Sequence, residues 1–205
     1  MARQQASGDS ARHARGAQAR ELRIIAGRWR GRRWRFPDTS LRPTPDRVRE
    51  TLFNWLQQRV AGCRCLDLFA GSGALGLEAL SRGAAQVQFV ESDARAARAL
   101  TALLQEWGAE GAGVFRGDAL DWLHGEPRHF DLVFLDPPFD SGLLAPACAQ
   151  LGAGGWLAPG ARVYVESPKD AVWSVPAGWE ALKSGSAGAV SYHLYQFVNG
   201  PEQGQ

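Results

Sequence analysis

The sequence has few cysteines and no long apolar run, and both absences limit what kind of protein it encodes. Its 205 residues include three cysteines, Cys63, Cys65 and Cys148. An odd number of thiols does not close a disulfide framework, and a Cys-x-Cys pair lacks the usual zinc spacing. We therefore expect reduced thiols in a cytoplasmic protein. No run of about 18 apolar residues occurs, so the sequence predicts no membrane-spanning helix.

Histidine is also scarce and scattered along the chain. The four histidines are His13, His124, His129 and His193. They show neither the spacing of metal ligands nor an adjacent nucleophile, so the sequence predicts no metal site.

The first 20 residues lack the apolar core of a secretory signal. They are rich in Ala, Arg, Gln, Ser and Gly without periodicity, which predicts a disordered basic tail over residues 1–20. An organelle transit peptide is the alternative, but the apolar face that such a peptide needs is missing. Residues 200–205 are expected to form a second, short tail.

Lysine is absent from residues 1–49, although positive charge is concentrated there. This segment contains 13 arginines and four acidic residues, a net charge of +9, whereas the whole chain carries +2. The remainder of the chain is therefore acidic, and the basic segment predicts a polyanionic partner. Arginine in particular suits phosphate binding and stacking on bases.

From residue 64 onward, short apolar strands alternate with helical segments. The strands are CLDLFA, VQFVE, GVFRGD, FDLVFLD and ARVYVES. This alternation predicts an α/β fold over residues 61–199, a doubly wound, Rossmann-like sheet with helices on both faces. The C-terminal segment WEALKSGSAGAVSYHLYQFV predicts a closing antiparallel hairpin, which brings the sheet to seven strands.

An N-terminal extension over residues 21–60 precedes this fold. The segment LRIIAGRWRGRRWRFP predicts a β-hairpin around Gly31. The segment TPDRVRETLFNWLQQRV predicts a helix, with Thr44 as its N-cap and Pro45 at its first position.

A glycine-rich loop follows the first strand of the α/β fold. Gly71, Gly73 and Gly76 have the G-x-G-x-x-G spacing, and Glu91 ends the second strand 20 residues after Gly71. This is the fingerprint of a dinucleotide site, in which the acid binds a ribose diol. A nicotinamide dehydrogenase must therefore be considered.

Two further acids favour a different ligand. Asp67 lies inside the first strand, where a carboxylate suits a cationic ligand better than a pyrophosphate. Asp118 ends the third strand beside Ala119 and is placed to accept from an adenine amine. The cationic head and adenine of S-adenosylmethionine match both positions, although each acid alone can simply cap the helix that follows it.

The fourth strand ends in Asp136-Pro137-Pro138-Phe139. A helix-entry turn is the simple explanation. Alternatively, Asp136 and the rigid Pro137 carbonyl accept the hydrogens of an exocyclic amine during methyl transfer, and Phe139 stacks on a base. This sequence motif adjoins the glycine loop, because the fourth strand of a doubly wound sheet lies beside the first.

The segments LDLFAGSGALGLEALSRGA and VFLDPPF resemble class I S-adenosylmethionine-dependent methyltransferases acting on exocyclic amines. With RIIAGRWRGRRWRFP, LRPTPDRVRETLFNWL and YVES, residues 22–198 resemble the bacterial 16S rRNA guanine-N2 methyltransferases of the RsmD family. The resemblance implies S-adenosylmethionine as cofactor and one guanine of 16S rRNA as substrate, in an assembled or assembling small ribosomal subunit. By position it implies donor contacts at Asp67, Gly71, Gly73, Glu91 and Asp118, and catalysis at Asp136–Phe139.

The N-terminal hairpin mixes basic and aromatic residues, as surfaces that bind RNA do. We expect it to contact rRNA through Arg28, Arg30, Arg32, Arg33, Arg35 and Trp34. The alternative is a solvated edge hairpin whose tryptophans pack on the domain. On the following helix, Arg47, Glu50 and Asn54 share one face; this face forms surface ion pairs or brings Arg47 to the donor carboxylate.

Other functions stay open. DNA adenine and protein-amide methyltransferases carry Asn where this chain has Asp136. A dehydrogenase leaves Asp67 and the double proline unexplained, and a simple RNA-binding module leaves the strand-end acids unexplained. No coiled-coil pattern is present, so we expect a monomer.

Overall fold

The computed structural model describes residues 20–36 and 44–198. The chain begins there with a separate antiparallel hairpin of β1 (Arg20–Arg23) and β2 (Arg33–Phe36). The predicted tails, residues 1–20 and 200–205, lie outside the described residues apart from Arg20. Within the described part of the chain, no helix is long and apolar enough to cross a membrane.

A seven-stranded sheet forms the centre of the molecule, as the alternating sequence predicts. Its strands are β3 (Arg64–Asp67), β4 (Gln86–Glu91), β5 (Ala112–Arg116), β6 (Phe130–Leu135), β7 (Leu157–Pro168), β8 (Trp179–Ala187) and β9 (Val190–Phe197). Their order across the sheet is β5-β4-β3-β6-β7-β9-β8. The first five in this order are parallel, and β9 runs antiparallel to both β7 and β8. The predicted closing hairpin is confirmed, and β6 lies beside β3 as expected.

Helices cover both faces of this sheet. They are α1 (Asp46–Leu56), α2 (Ala74–Ser81), α3 (Ala94–Glu106), α4 (Ala119–Leu123) and α5 (Leu144–Ala153). Alternate residues of β6 point to opposite faces: Leu132 and Phe134 join the core under α1, α2 and α3, whereas Val133 and Leu135 join the core under α4 and α5. Burial on both faces explains why this strand is an unbroken apolar run.

The loop between β1 and β2 is bonded to α2 by its backbone. The Glu78 carboxylate accepts the N–H groups of Ile25 and Ala26 at 2.8 and 3.0 Å. The Ser81 hydroxyl accepts the N–H of Trp29 at 3.0 Å and donates to the Ala26 carbonyl at 2.6 Å. Buried backbone groups need such partners, so these bonds fix the loop on the helix.

The aromatic residues of the hairpin are part of the main core. Trp29 and Trp34 are buried, and their rings lie 5.2 and 5.8 Å from that of Trp107 at the end of α3. The boundary predicted near residue 60 therefore separates two segments that share one hydrophobic core.

Helix α1 begins one residue later than the sequence predicts, and Thr44 is not its cap. Pro45 occupies the N-cap position, which has no side-chain hydrogen bond. The buried Thr44 hydroxyl instead donates to Glu166 at 2.8 Å, with Asp136 at 3.3 Å. The N-cap prediction is wrong because these distant carboxylates engage the hydroxyl.

Candidate active site

Acidic residues from several strands meet at the carboxyl edge of the sheet. Asp67 ends β3, Glu91 ends β4, and Asp136 directly follows β6. Glu166 lies near the end of β7, one register position beyond the Leu135–Val165 pair. The parallel arrangement of these strands places their ends in one crevice, which is where ligands bind in open α/β sheets.

The glycine loop between β3 and α2 is held to these acids by its own backbone. Gly71 and Gly73 have φ values of 50° and 75°, a conformation that favours glycine. The Gly71 N–H donates to the Glu91 carboxylate at 2.6 Å, and the Gly76 N–H donates to Asp67 at 3.0 Å. The loop is therefore fixed between the ends of β3 and β4.

Two of the glycines also have a packing role that sequence reasoning could not distinguish from ligand binding. A Cβ on Gly73 would lie 2.6 Å from a Leu100 methyl group, and a Cβ on Gly76 would lie 2.2 Å from the Phe89 ring. Larger side chains would force the start of α2 away from β4 and α3.

The acids of the crevice retain protons more readily than usual. Burial raises the pKa of Asp67 to about 7, although the Gly76 N–H favours its ionised form. Burial also raises the pKa of Glu91, against its backbone hydrogen bonds. The pKa of Asp136 is raised well above its usual range, first by burial and then by the charge of Glu166.

No arginine or lysine forms an ion pair with Asp67, Glu91, Asp136 or Glu166 within the described ranges. Buried carboxylates without a counter-charge are costly. A cationic ligand would remove much of this cost. No group of His, Cys, Asp and Glu residues in the described part of the chain is arranged to hold a metal ion.

Asp118 caps α4, which was the alternative to adenine binding that the sequence left open. Its Oδ1 accepts the N–H groups of Leu120 and Asp121 at 2.7 and 3.1 Å, and Ala119 is the buried first residue of the helix. Both bonds use one oxygen, so Oδ2 keeps its capacity to accept from a ligand.

The Asp136–Phe139 motif forms a tight, partly exposed turn. Pro138 has φ −53°, and its carbonyl accepts the N–H of Ser141 at 3.0 Å. Within the described residues nothing donates to the Pro137 carbonyl, whereas Phe139 is 43% exposed at the surface. Asp136 is thus partly exposed and Phe139 exposed, whereas Pro137 is buried with no donor to its carbonyl among the described residues.

Sequence reasoning missed three residues of this edge. Tyr164 and Glu166 lie on β7, and the Tyr164 hydroxyl donates to Glu166 at 2.9 Å. Thr44 donates to the same carboxylate from the opposite end of the chain. The available signal was the acid near the end of the predicted strand ARVYVES, a position equivalent to those of Asp67, Glu91 and Asp136 on their strands.

The predicted RNA-contacting residues of the hairpin have different environments. Arg30 and Arg35 are exposed, Arg28 lies 4.1 Å above the Trp29 ring, and Arg33 pairs with Glu21 at 2.7 Å. The exposed Arg32 lies over the Trp107 ring at 5.4 Å.

Trp34 occupies a structural position. It is buried, and its Nε1–H donates to the carbonyl of Ser72 in the glycine loop at 3.1 Å. A buried ring with a satisfied N–H is not presented to a base, so burial contradicts the expectation that Trp34 stacks on RNA. On α1, Arg47, Glu50 and Asn54 are exposed, and the contact between Arg47 and a donor carboxylate stays a prediction.

A seven-stranded sheet of this order, with acids at the ends of adjacent strands and a glycine loop between them, defines the Rossmann-like methyltransferases. Comparison with known proteins makes the assignment narrower. The model of the family described as conserved hypothetical protein 95 matches residues 22–196. The chain is 48% identical to ribosomal RNA small subunit methyltransferase D of Haemophilus influenzae, over 86% of this chain and 94% of that protein. The chain belongs to this family of methyltransferases.

Solved structures agree with this assignment. The Escherichia coli protein yhhF superposes with a TM-score of 0.82 at 45% identity, over 87% of this chain and 98% of that one. A more distant structure, the Thermus thermophilus 16S rRNA N2 G1207 methyltransferase in complex with AdoMet and guanosine, has a TM-score of 0.62 at 23% identity, over 87% of this chain and 50% of that one. At that identity the second match concerns the fold alone.

Proposed function

We propose that this protein transfers a methyl group from S-adenosylmethionine to the exocyclic N2 amine of one guanine in 16S rRNA. The observation that carries the proposal is the position of Asp136 and Pro137, which follow β6 beside β3, the strand that leads into the glycine loop. The names of the relatives support small-subunit rRNA as the substrate.

The acids of the crevice suit the donor. When bound, S-adenosylmethionine supplies an electrophilic methyl group on a positively charged sulfur. We assign Asp67 to its cationic methionine part, because this buried carboxylate lacks a counter-charge. We assign Glu91 to the ribose diol and Asp118, with Ala119, to the adenine. The backbone of Gly71 and Gly73 allows the donor to approach closely.

The motif after β6 would receive the base. Asp136 and the Pro137 carbonyl accept hydrogen bonds from the two amine hydrogens. These hydrogen bonds strengthen as positive charge develops on nitrogen. The exposed Phe139 ring offers a stacking surface for a guanine taken out of its helix or loop. Orientation of the nitrogen in line with the methyl group supplies the rest of the catalysis.

Donor affinity should depend on pH through Asp67. Its pKa of about 7 lies above the usual value because the unbound carboxyl is buried, and a cationic ligand favours the ionised form. Binding therefore weakens as pH falls below the raised pKa. We expect S-adenosylhomocysteine to bind roughly tenfold more tightly at about pH 8 than at about pH 6, measured by calorimetry. Asp67→Asn should bind weakly and with little pH dependence.

A thermal-shift series distinguishes a methyl donor from a nicotinamide cofactor. S-adenosylhomocysteine should raise the melting temperature, and NAD should not. Stabilisation by NAD alone would overturn the proposed donor.

The N-terminal hairpin is our candidate for the rRNA contact, through its arginines and without Trp34. The basic, partly exposed surface favours a phosphate backbone. We also propose that the substrate is the assembled or assembling small subunit, that the protein acts as a monomer, and that it works in the bacterial cytoplasm where ribosomes form.

Removing charge from the hairpin should reduce the salt dependence of RNA binding. Deleting the segment would also remove buried tryptophans, so substitution is the cleaner test. For R30Q/R35Q, the slope of log affinity against log salt should fall by about 0.7–0.9 for each arginine that contacts phosphate. The control is Arg64→Gln, because Arg64 begins β3 outside the hairpin and pairs with Asp131. Equal slopes for wild type and R30Q/R35Q would show that neither arginine contacts phosphate.

A further inference from the structure

The N-terminal extension contributes a side chain to the candidate active site. Thr44 lies two residues before α1 and is 4% exposed, and Glu166 on β7 is also 4% exposed. The Thr44 Oγ1 lies 2.8 Å from Glu166 Oε1 and 3.3 Å from Asp136 Oδ2. The hydroxyl therefore bridges the proposed amine acceptor and a second carboxylate that has no role in the proposal so far.

The Thr44 hydroxyl cannot donate to both Glu166 and Asp136 at once. A threonine hydroxyl has one hydrogen, and its shorter contact is with Glu166. The Tyr164 hydroxyl also donates to Glu166 Oε1, at 2.9 Å. These two hydrogen bonds favour ionised Glu166 and oppose its burial, which raises the pKa of this carboxyl. Asp136 then faces the lone pairs of Thr44, which suits a protonated Asp136 that donates to the hydroxyl.

We propose that Thr44 and Glu166 are positioning residues that orient Asp136 and make it a stronger proton acceptor for the methylated amine. The inference rests on the proposed function. Glu166 acts through its negative charge, and Thr44 acts through a hydrogen bond that Asp136 gains on protonation.

The proton transfer is balanced without any further reactant. The carbon–nitrogen bond forms as the carbon–sulfur bond breaks, and sulfur keeps the electron pair of the broken bond. The amine nitrogen, now positively charged, loses a proton to the Asp136 carboxylate. The protonated Asp136 donates to Thr44 Oγ1, and the Thr44 hydroxyl continues to donate its own hydrogen to Glu166. Asp136 is partly exposed, so its proton passes to water when the product leaves.

The groups that face Asp136 determine how the Glu166 charge affects the pKa of Asp136. They are Glu166 and Tyr164 on β7, Asp67 on β3 and Thr44 before α1, and Tyr192 on β9 lies behind Tyr164. Burial is the first cause of the raised pKa of Asp136 and the charge of Glu166 is the second. Removing a like charge lowers the pKa of its neighbour. The charge of the Asp67 carboxylate also raises the pKa of Asp136. A bound donor would keep Asp67 ionised in all variants.

The test measures kcat for methyl transfer to small subunits against pH, with saturating donor, for wild type, Glu166→Gln, Thr44→Val and Thr44→Ser. Turnover needs ionised Asp136, so kcat should rise with pH through an apparent pKa of the coupled pair. In Glu166→Gln this rise should move to lower pH by about one unit, with a lower plateau. Thr44→Val should lower kcat by about tenfold, and Thr44→Ser, which keeps the hydroxyl, should stay near wild type.

Several outcomes would overturn the inference. An unshifted pH profile in Glu166→Gln would leave Glu166 a merely structural residue, and equal losses in the serine and valine variants would exclude the hydroxyl. Binding of S-adenosylhomocysteine, which all four proteins should retain, checks that each is folded. If wild type itself transfers no methyl group, the proposed function fails; if wild type is active and the profiles coincide, only this inference fails.

Discussion

Asp136→Ala should lower kcat for methyl transfer by a factor on the order of 10²–10³ while binding of S-adenosylhomocysteine is retained. The amine lone pair of guanine is delocalised into the ring, so attack on the methyl group requires acceptors that hold the amine hydrogens as charge develops. The carboxylate follows β6 directly and lies beside Thr44 at 3.3 Å. In the proposed reaction its interaction is stronger in the transition state than with bound substrate, so we expect its loss to affect turnover more than affinity.

Stability provides an independent check on this variant. Burial and the Glu166 charge raise the pKa of Asp136, which means that the ionised carboxylate is disfavoured in the folded protein. This cost is small at low pH and grows as pH rises towards the raised pKa, because the unfolded group ionises first. Asp136→Ala should therefore not lower the melting temperature near neutral pH. An unchanged or higher melting temperature would exclude misfolding as the cause of the lost activity.

Asp136→Asn is the matched control, because it keeps the shape and one acceptor oxygen. We expect an intermediate kcat and no rise of activity with pH from this group. Full activity in Asp136→Ala would contradict the role of the carboxylate in turnover. Loss of S-adenosylhomocysteine binding in this variant would instead assign Asp136 to the donor.

Glu78→Ala should lower the free energy of unfolding by about 3–5 kcal/mol. Arg49 is fully buried, and its Nη1 lies 3.7 Å from the Glu78 carboxylate. The same carboxylate accepts from the backbone of Ile25 and Ala26 and from Arg82. The alanine variant removes one of the two carboxylates beside the buried Arg49, leaving Asp46, and it leaves two backbone N–H groups without an acceptor. Both losses are costly.

Denaturant unfolding measures this effect against an exposed pair in the same region. Arg33 and Glu21 lie 2.7 Å apart on the hairpin, and both side chains are largely exposed. Glu21→Ala should cost at most about 1 kcal/mol. The double variant R49M/E78Q should recover part of the loss, because it removes the buried positive charge and keeps an acceptor oxygen for the backbone N–H groups. Similar losses for Glu78→Ala and Glu21→Ala would contradict the structural role of the buried pair.

The buried pair also explains why the extension and the methyltransferase fold are one unit. Arg49 donates to the Arg23 carbonyl at 2.9 Å and to Asp46 at 2.6 Å, and Asp46 pairs with Arg23 at 2.7 Å. These contacts join β1, α1 and α2, and α2 begins at the glycine loop. The hairpin proposed for RNA is thereby attached to the loop proposed for the donor.

The sequence predicted the sheet and the common location of the candidate site residues, because both depend on local patterns. Apolar strands alternating with helices require a parallel sheet, and the ends of parallel strands lie at one edge. Asp67, Glu91 and Asp136 each end or follow a strand, so their common location follows from the topology alone. The structure confirms that β6 adjoins β3.

Contacts between distant parts of the chain could not be predicted in this way. The Thr-Pro pair before α1 is typical of a helix N-terminus, and the hydroxyl's actual partners, Asp136 and Glu166, are 92 and 122 residues away. Likewise, the spacing of Gly73 and Gly76 is the same whether a ligand or the Phe89 ring approaches them.

The environment of Trp34, in contrast, was available from the sequence. In β2, Arg33 and Arg35 are exposed while Trp34 and Phe36 are buried, which is the ordinary alternation of a strand with one covered face. Treating the aromatic and basic residues as one surface ignored this period of two. The alternation assigns the arginines to solvent and the tryptophan to the core.

The most direct test of the central claim is the identity of the methylated nucleoside. Small subunits from cells that lack this protein would be incubated with the purified enzyme and labelled S-adenosylmethionine, alongside naked 16S rRNA. The rRNA would then be digested to nucleosides and analysed by mass spectrometry. Our account predicts label in N2-methylguanosine from 16S rRNA, and none with Asp136→Ala. Label in N6-methyladenosine or in ribosomal protein, or no transfer to guanine in either substrate, would contradict it.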